Sequence, residues 1–486
     1  MTDPLVDFSV FLRMAYFDPL PKRILAVLFF SVVLWVAFQI PLIKDFGKKF
    51  NLKCSQILIA ILFSALFFRI VWCVLAPTSF PVDTHPSSES FLINLHGWQI
   101  SKYGIPLGAD GTLATRRPVG YLYLLGGVHS IFGYHQNTFK FVQIIFGTLL
   151  VWLSFLLGKT IFKNDQIGLL AAFITAIYPE NIISVTIPLD EYPFFVFWFS
   201  ALVLISKNLN SRQVEHTLSI SLLLALSTVC RTTTLYMPFI LFFAYQVCGL
   251  PFRKSLMQLI VSFVLIYLVS APWGWTTYKH YGRPSFFTTA GLSFYGTLND
   301  RAAWHNGYIP RTLEDGGNKE ILNETNPVKQ ANIATKVAVE WAMKHPKKVF
   351  QWFLMRNAAL FAFDSVDETT DLNMLYASNT SSFVVHHHHK IRKMKNWAYS
   401  FCFFLGLFGI LTLCLDRRYF FWYKYPAFIL LIAIFFYWCA IHGFFFGFKK
   451  YRWAMDLLLI YPASFFLWWL AQTRPFKIQK ISLTQM

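Results

Sequence analysis

Two carboxylates and two guanidinium groups, Asp83, Glu89, Arg116 and Arg117, stand in one polar stretch between two membrane-grade apolar segments. An unpaired charge at the centre of a bilayer costs about 2.5 to 3.5 kcal/mol or more, so ionisable groups near hydrocarbon are paired, face water or do chemistry. A carboxylate at the membrane face can remove the proton from an attacking hydroxyl or amine, a role worth about 10²- to 10⁴-fold in rate. Its other reading is a helix cap, which any acid can provide. The adjacent Arg116-Arg117, ahead of Pro118-Val119-Gly120-Tyr121, can grip phosphate oxygens bidentately. They can equally anchor the next segment to lipid head groups.

Three further groups carry charge at segment edges. Asp190-Glu191 lies in a very short turn between Pro188 and Pro193 and reads either as an acceptor-side or structural acid pair or as solvated turn residues. Lys449-Lys450-Tyr451-Arg452 opens the last apolar segment; Lys450 and Arg452 form a second candidate phosphate grip, or a topology signal. The run His386 to His389 is taken as a solvated loop, because adjacent histidines do not converge on one ion as an i, i+4 pair does. No metal site is assigned. The chain has no H-E-x-x-H, no P-loop and no dinucleotide glycine fingerprint, against a zinc protease or an ATP-driven transporter.

These residues need an apolar scaffold, and the composition supplies one: 486 residues, 56% hydrophobic, 19% aromatic and only 14% charged. That is a polytopic membrane protein. Apolar runs fall at Ile24–Ile43, Ser55–Ala76, Thr138–Leu157, Ile167–Ile187, Pro193–Ile205, Thr217–Cys230, Leu235–Leu250, Leu256–Ala271, Trp397–Leu415, Pro426–His442 and Ala454–Leu470, for about 11 to 13 crossings. Phe91, Leu92, Leu95, Trp98 and Ile100 recur at helical spacing, which predicts an amphipathic interfacial helix in the first non-cytoplasmic loop.

The net charge of +19 sits in short loops, where it sets topology and meets anionic lipid; nucleic acid is not a partner. The basic clusters at Lys44 to Lys53, Lys159 and Lys163, Lys207 and Arg212, and Arg253 and Lys254 go to the cytoplasm, which leaves the amino terminus outside. The alternation holds if Pro118–Gly133 dips into the interface; a full crossing inverts the sidedness of every later loop. The seven cysteines form no disulfide framework, and the amino terminus has no cleavable signal. The organisation read from this is 1–54, an extra transmembrane segment and cytoplasmic loop; 55–272, a transmembrane catalytic module; 273–396, a large non-cytoplasmic polar region; and 397–486, the last helices.

In sequence the acid-bearing loop ends in Tyr103-Gly104 and is followed by Arg117-Pro118-Val119-Gly120-Tyr121, then Ile131-Phe132-Gly133, then Leu157-Gly158-Lys159-Thr160-Ile161-Phe162. Tyr178-Pro179-Glu180, Glu191, Ala271-Pro272-Trp273, Tyr281-Gly282 and Tyr451-Arg452 continue the order. This pattern resembles the GT-C glycosyltransferases, in particular the dolichyl-phosphate-mannose protein mannosyltransferases and the aminoarabinose transferases. The resemblance implies an all-α GT-C-like fold. It also implies transfer of a sugar from a polyprenyl-phosphate donor to a lipid-linked, glycan or protein acceptor on the non-cytoplasmic face. The first-loop acid would be the base, and cationic residues would hold the phosphate. The family includes members with and without a divalent ion, so no cofactor is assigned and a metal remains compatible. The family's acid is followed closely by Glu or Tyr, whereas Asp83 here precedes Glu89-Ser90-Phe91 by six residues; Glu89 is favoured for its spacing to the amphipathic helix, with Asp83 second.

The expectation is therefore a multi-pass glycosyltransferase of the bacterial inner membrane, or of the ER membrane in a eukaryote, in contact with membrane lipids. The alternative is a secondary transporter or lipid flippase, which calls for charges within the helices and two similar halves. Here the charge sits at loop edges, Arg69 excepted, and no paired halves are visible.

Overall fold

The computed structural model describes residues 8–39, 53–76, 89–286, 290–363 and 382–472, apart from 11, 109–110, 116, 136, 303–308, 310–311, 315–316, 417, 420–423 and 446–448. Among these residues the chain is helical, with a single isolated bridge between Leu107 and Leu113. In chain order the helices begin with α1 Leu20–Gln39, α2 Cys54–Leu75, α3 Glu89–Tyr103, α4 Val119–Phe132, α5 Thr138–Phe162 and α6 Asp165–Ile177. They continue with α7 Pro179–Ile183, α8 Glu191–Ser211, α9 Thr217–Cys230, α10 Met237–Val247, α11 Phe252–Tyr281 and α12 Ala290–Thr297. The last six are α13 Lys319–Asn323, α14 Pro327–Lys344, α15 Pro346–Leu360, α16 Ser382–Leu415, α17 Ala427–Phe444 and α18 Trp453–Gln472.

The apolar runs read from the sequence fall on helices wherever they are described, but the expected crossings, about 11 to 13, come down to seven or eight among the described residues, because the runs at 217–230 and 235–250 form helices of only 14 and 11 residues. Seven of them, α2, α5, α8, α11, α16, α17 and α18, are long and apolar enough to cross a bilayer, and α6 with α7 makes an eighth span bent by 56°. The bend falls at Pro179, which sits at the first position of α7. A proline there lacks the N–H that would continue α6, and it holds the preceding Tyr178 in an extended conformation. Helices α4 and α9 are apolar but shorter, at 14 residues each.

One end of the bundle collects the early basic loops. Lys159 pairs with Asp165 at 2.9 Å, Cys54 lies beside both, and Asn210 donates to the carbonyl of Thr160 at 2.6 Å. Gln258 reaches the carbonyl of Thr217, so α9 starts at this end too, where α2, α8 and α11 bring Lys53, Arg212, Arg253 and Lys254. Its excess of Lys and Arg is the one the sequence expectation assigns to the cytoplasm, and the two ends are named by that expectation. At the opposite end α4 starts against the carboxyl end of α9 and finishes at Gly133, five residues ahead of α5. Both of its ends therefore lie on the non-cytoplasmic side, and the alternation of spans is preserved.

Two additions flank the bundle. Helices α12 to α15 pack Tyr295, Leu298, Ile321, Trp341 and Trp352 into their own small core on the non-cytoplasmic side. At the amino end, Arg23 of α1 donates to the carbonyls of Phe363 and Asn396 and to the Ser400 hydroxyl, which fixes α1 to α16. The histidines 386–389 lie in the first turns of α16, in place of the loop expected for them.

Candidate active site

The non-cytoplasmic ends of α8 and α9 carry opposite charges by position. Asp190 and Glu191 stand at the amino end of α8, and Arg231 caps the carboxyl end of α9. Each sign suits the helix dipole it meets. Because α8 and α9 are antiparallel neighbours, the charges meet: Arg231 Nη1 lies 3.5 Å from Asp190 Oδ1 and hydrogen-bonds Glu191 Oε1. The guanidinium also sits over the Tyr451 ring, 5.6 Å from its centroid.

The two acids differ in access to water. Asp190 keeps 24% of its side chain exposed and Glu191 only 8%. Burial, and then the Glu191 charge beside it, push the Asp190 carboxyl well above the ordinary carboxylate range, against the pull of Arg231 and Arg117. Burial works against the charge of Arg231, but Glu191 and Asp190 more than offset it, so the guanidinium stays firmly protonated.

The turn that presents the acids is tied down from below. Gln143 of α5, fully buried, donates to the carbonyls of Val185 at 3.0 Å and Ile187 at 2.6 Å. Its Oε1 accepts from the Leu189 amide at 2.8 Å and the Tyr121 hydroxyl at 3.3 Å. One amide side chain thus satisfies buried backbone groups that would otherwise each cost about 1 to 3 kcal/mol.

Arg117 approaches from α4. It lies close enough to depress the basicity of His96, whose pKa falls to about 4 chiefly through burial and then through Arg117, and it acts on Asp190 as well. Gly120 makes this approach achievable, since a Cβ there would meet the Val229 carbonyl at 2.8 Å. Gly120→Ala is expected to destabilise the fold by about 1 to 3 kcal/mol and to move Arg117 away from Asp190. A lowered thermal midpoint together with lost activity in the refolded fraction would establish this; an unchanged protein would refute it.

Arg117 also lines a cavity of 440 Å³ together with Tyr123, Phe197, Leu226, Trp273 and Phe286. The lining is mostly apolar, with Tyr123, Thr232, Ser270 and Thr276 as the hydroxyl-bearing residues. A lining of this kind suits a hydrocarbon chain, and the Arg117 guanidinium suits an anionic head group.

Below the acids lies Arg69 of α2, fully buried. Its Nη1 donates to its own helix at the Ala65 carbonyl, 2.8 Å away, while Nε and Nη2 have no hydrogen-bond partner. Gly147 of α5 gives it room, as a Cβ at that position would lie 2.7 Å from Nε. Replacing buried ionic groups by apolar side chains of similar volume is often neutral or stabilising, by up to about 4 kcal/mol for a whole ion pair. Arg69→Met is therefore expected to raise the thermal midpoint in detergent, and a lowered midpoint would show that the charge has a compensating partner.

The other sequence candidates lie apart from this cluster or outside the described residues. Asp83 and Arg116 are outside them. Glu89 opens α3, seven residues, or about 10 Å of helix, beyond His96, the residue of that helix that feels Arg117. Lys450 belongs to the single turn Lys449–Arg452. Arg452 is turned inward: its Nε bonds Asp456 at 2.9 Å, its Nη1 donates to the carbonyl of Ala362 at 2.6 Å, and it stacks on Tyr399. Tyr178 completes that cluster by donating to Asp456 at 2.6 Å. The structure thus brings together Arg117, Asp190 and Glu191, and adds Arg231, Gln143, Tyr121 and His96, none of which was a sequence candidate. The available signals were a polar Gln143 inside an apolar run and an arginine directly after the apolar Thr217–Cys230.

Residues 116–275 match the model of the dolichyl-phosphate-mannose-protein mannosyltransferase family. The match takes in Arg117, the acid pair, Arg231 and most of the cavity wall, roughly a third of the chain. Over that stretch the protein is glycosyltransferase-like. No curated protein matches the chain in sequence. Among solved structures it is similar to two of the Archaeoglobus fulgidus oligosaccharyltransferase. One is tethered to an acceptor peptide containing the NVT sequon, at TM-score 0.48; the other is in complex with an inhibitory peptide and a dolichol-phosphate, at TM-score 0.49. Identity is 15% in both, over 86% of this chain and 50% of the other, so this chain spans half the length of those proteins.

Proposed function

We propose that the protein is an integral membrane glycosyltransferase that takes a sugar from a polyprenyl-phosphate donor and passes it to a lipid-linked, glycan or protein acceptor on the non-cytoplasmic face. The observation that carries this reading is the apolar cavity lined by Arg117 and by Cys230 and Thr232, the neighbours of Arg231 in the Asp190–Glu191–Arg231 cluster. The cavity takes the isoprenoid, and Arg117, with Arg116 beside it in sequence, neutralises the phosphate.

Transfer needs one displacement. The acceptor oxygen or nitrogen attacks the anomeric carbon, the bond from that carbon to the phosphate oxygen breaks, and its electron pair leaves on polyprenyl phosphate. The acceptor's proton goes to a carboxylate. A single displacement inverts the anomeric centre. The base we propose is a first-loop acid. Glu89, at the start of the interfacial helix α3, is the first choice, and Asp83 is the second. Asp190 and Glu191 hold Arg231 and set the field on the acceptor side. As oxygen ligands for a divalent ion they are already engaged by Arg231, and no step is routed through a metal.

The test is to incubate the purified full-length protein with a panel of radiolabelled polyprenyl-phosphate sugars and monitor label leaving the lipid. Release from at least one donor is expected. Folded protein that releases label from none of them would overturn the reading.

A further inference from the structure

The outer unit carries a surface that its own core does not need. Helices α14 and α15 bury one face each, through Ala334, Ala338 and Trp341 and through Trp352, Met355 and Leu360. On the opposite face Val339, Met343, Phe350 and Leu354 are between 41 and 69% exposed. They form two i, i+4 pairs, one on each side of the elbow at His345-Pro346, and this knuckle is apolar on both arms. Lys344 and Lys347 are exposed on the same elbow. Lys348 is not part of this face, because its Nζ sits over the rings of Trp341 and Trp352.

The depth of this knuckle can be read from α17, a membrane span. Phe353 packs on Phe444 at the outer end of α17, with ring centroids 5.1 Å apart, and Arg356 donates to the Phe444 carbonyl at 3.2 Å. Further along, Phe361 stacks on Phe435 at 5.3 Å, nine residues and about 13 Å inside the end of that span. Helix α15 therefore descends into the outer leaflet, with Leu354 and Phe350 at its boundary and Lys347 and Lys344 just above. Apolar side chains at the acyl boundary under lysines at head-group height are the arrangement by which a helix holds an anionic lipid surface.

We infer that the α14–α15 elbow is a binding surface for anionic phospholipid of the non-cytoplasmic leaflet, seated by Met343, Phe350 and Leu354 and selected by Lys344 and Lys347. Glu340 faces Lys336 at 4.0 Å and leaves both selecting lysines uncompensated by it. The inference is independent of the proposed transfer reaction.

Two measurements on the full-length protein in lipid nanodiscs test it. A spin label on Phe350→Cys is expected to collide with oxygen and be shielded from a water-soluble nickel chelate, while one on Lys336→Cys shows the reverse. Spin-labelled phosphatidylglycerol is expected to associate in preference to phosphatidylcholine, by about fivefold for each lysine, and to lose that preference in Lys344→Gln/Lys347→Gln. Free access of the chelate to position 350 would overturn the inference. So would shielding from both quenchers, which would mean a protein partner or second copy on this face, or a lipid preference unchanged by the double substitution.

Discussion

Replacing Arg231 by Met is expected to be the most damaging single change at the acid cluster. It leaves Asp190 and Glu191 adjacent, largely enclosed and without their shared guanidinium. Breaking a buried ion pair by removing one partner destabilises by about 3 to 5 kcal/mol. The pH dependence distinguishes this from a simple packing loss. Burial and the neighbouring Glu191 already hold the folded-state pKa of Asp190 above its ordinary carboxylate value. A carboxyl with a raised folded pKa contributes stability that is fully present below its unfolded value and is lost as pH rises through its folded value. Without Arg231 the folded value moves further up. The variant should therefore recover thermal stability on acidification from about pH 8 to about pH 5 more than the native protein does. Equal recovery would show that Arg231 is not what holds the acid pair.

The second large effect is expected at the first-loop acids. If one of them takes the acceptor's proton, Asp83→Asn or Glu89→Gln should lower the transfer rate by about 10²- to 10⁴-fold while expression and thermal stability stay unchanged. The single variants decide between the two residues. A double variant that still releases label at the native rate would remove the first loop from the chemistry and move attention to Asp190, the acid with the greater access to water.

The scaffold was legible because membrane spans are written in length and polarity alone: Ser55–Ala76 and Thr138–Leu157 need no tertiary information to be seen. The candidate site was legible only where local spacing carries it. Asp190-Glu191 is a visible pair in a short turn, and Arg117 precedes a visible break. Arg231 is 41 residues from Asp190 along the chain and joins it only because α8 and α9 turn back on each other, a pairing no window of sequence contains. Gln143 looks like an isolated polar residue until the turn 184–189 is laid across it. For Arg452 the competing partner was in view: Asp456 lies one helical turn on, and in the structure that carboxylate and the Tyr399 ring occupy the guanidinium. The four histidines, expected in a solvated loop once a shared metal ion is set aside, instead continue α16 past its apolar part.

The contacts of Arg23 set a constraint on synthesis. Its acceptors lie 340 to 377 residues further along the chain. At about 5 to 20 residues per second, α1 leaves the ribosome roughly 20 to 70 seconds before any of them exists. During that interval the first helix has only lipid and its own arginine, placed one turn from the helix end where the guanidinium can reach the head groups. One of the first helices to be made thus waits for a late part of the chain, and a chain truncated before residue 363 would leave Arg23 of α1 without these three acceptors.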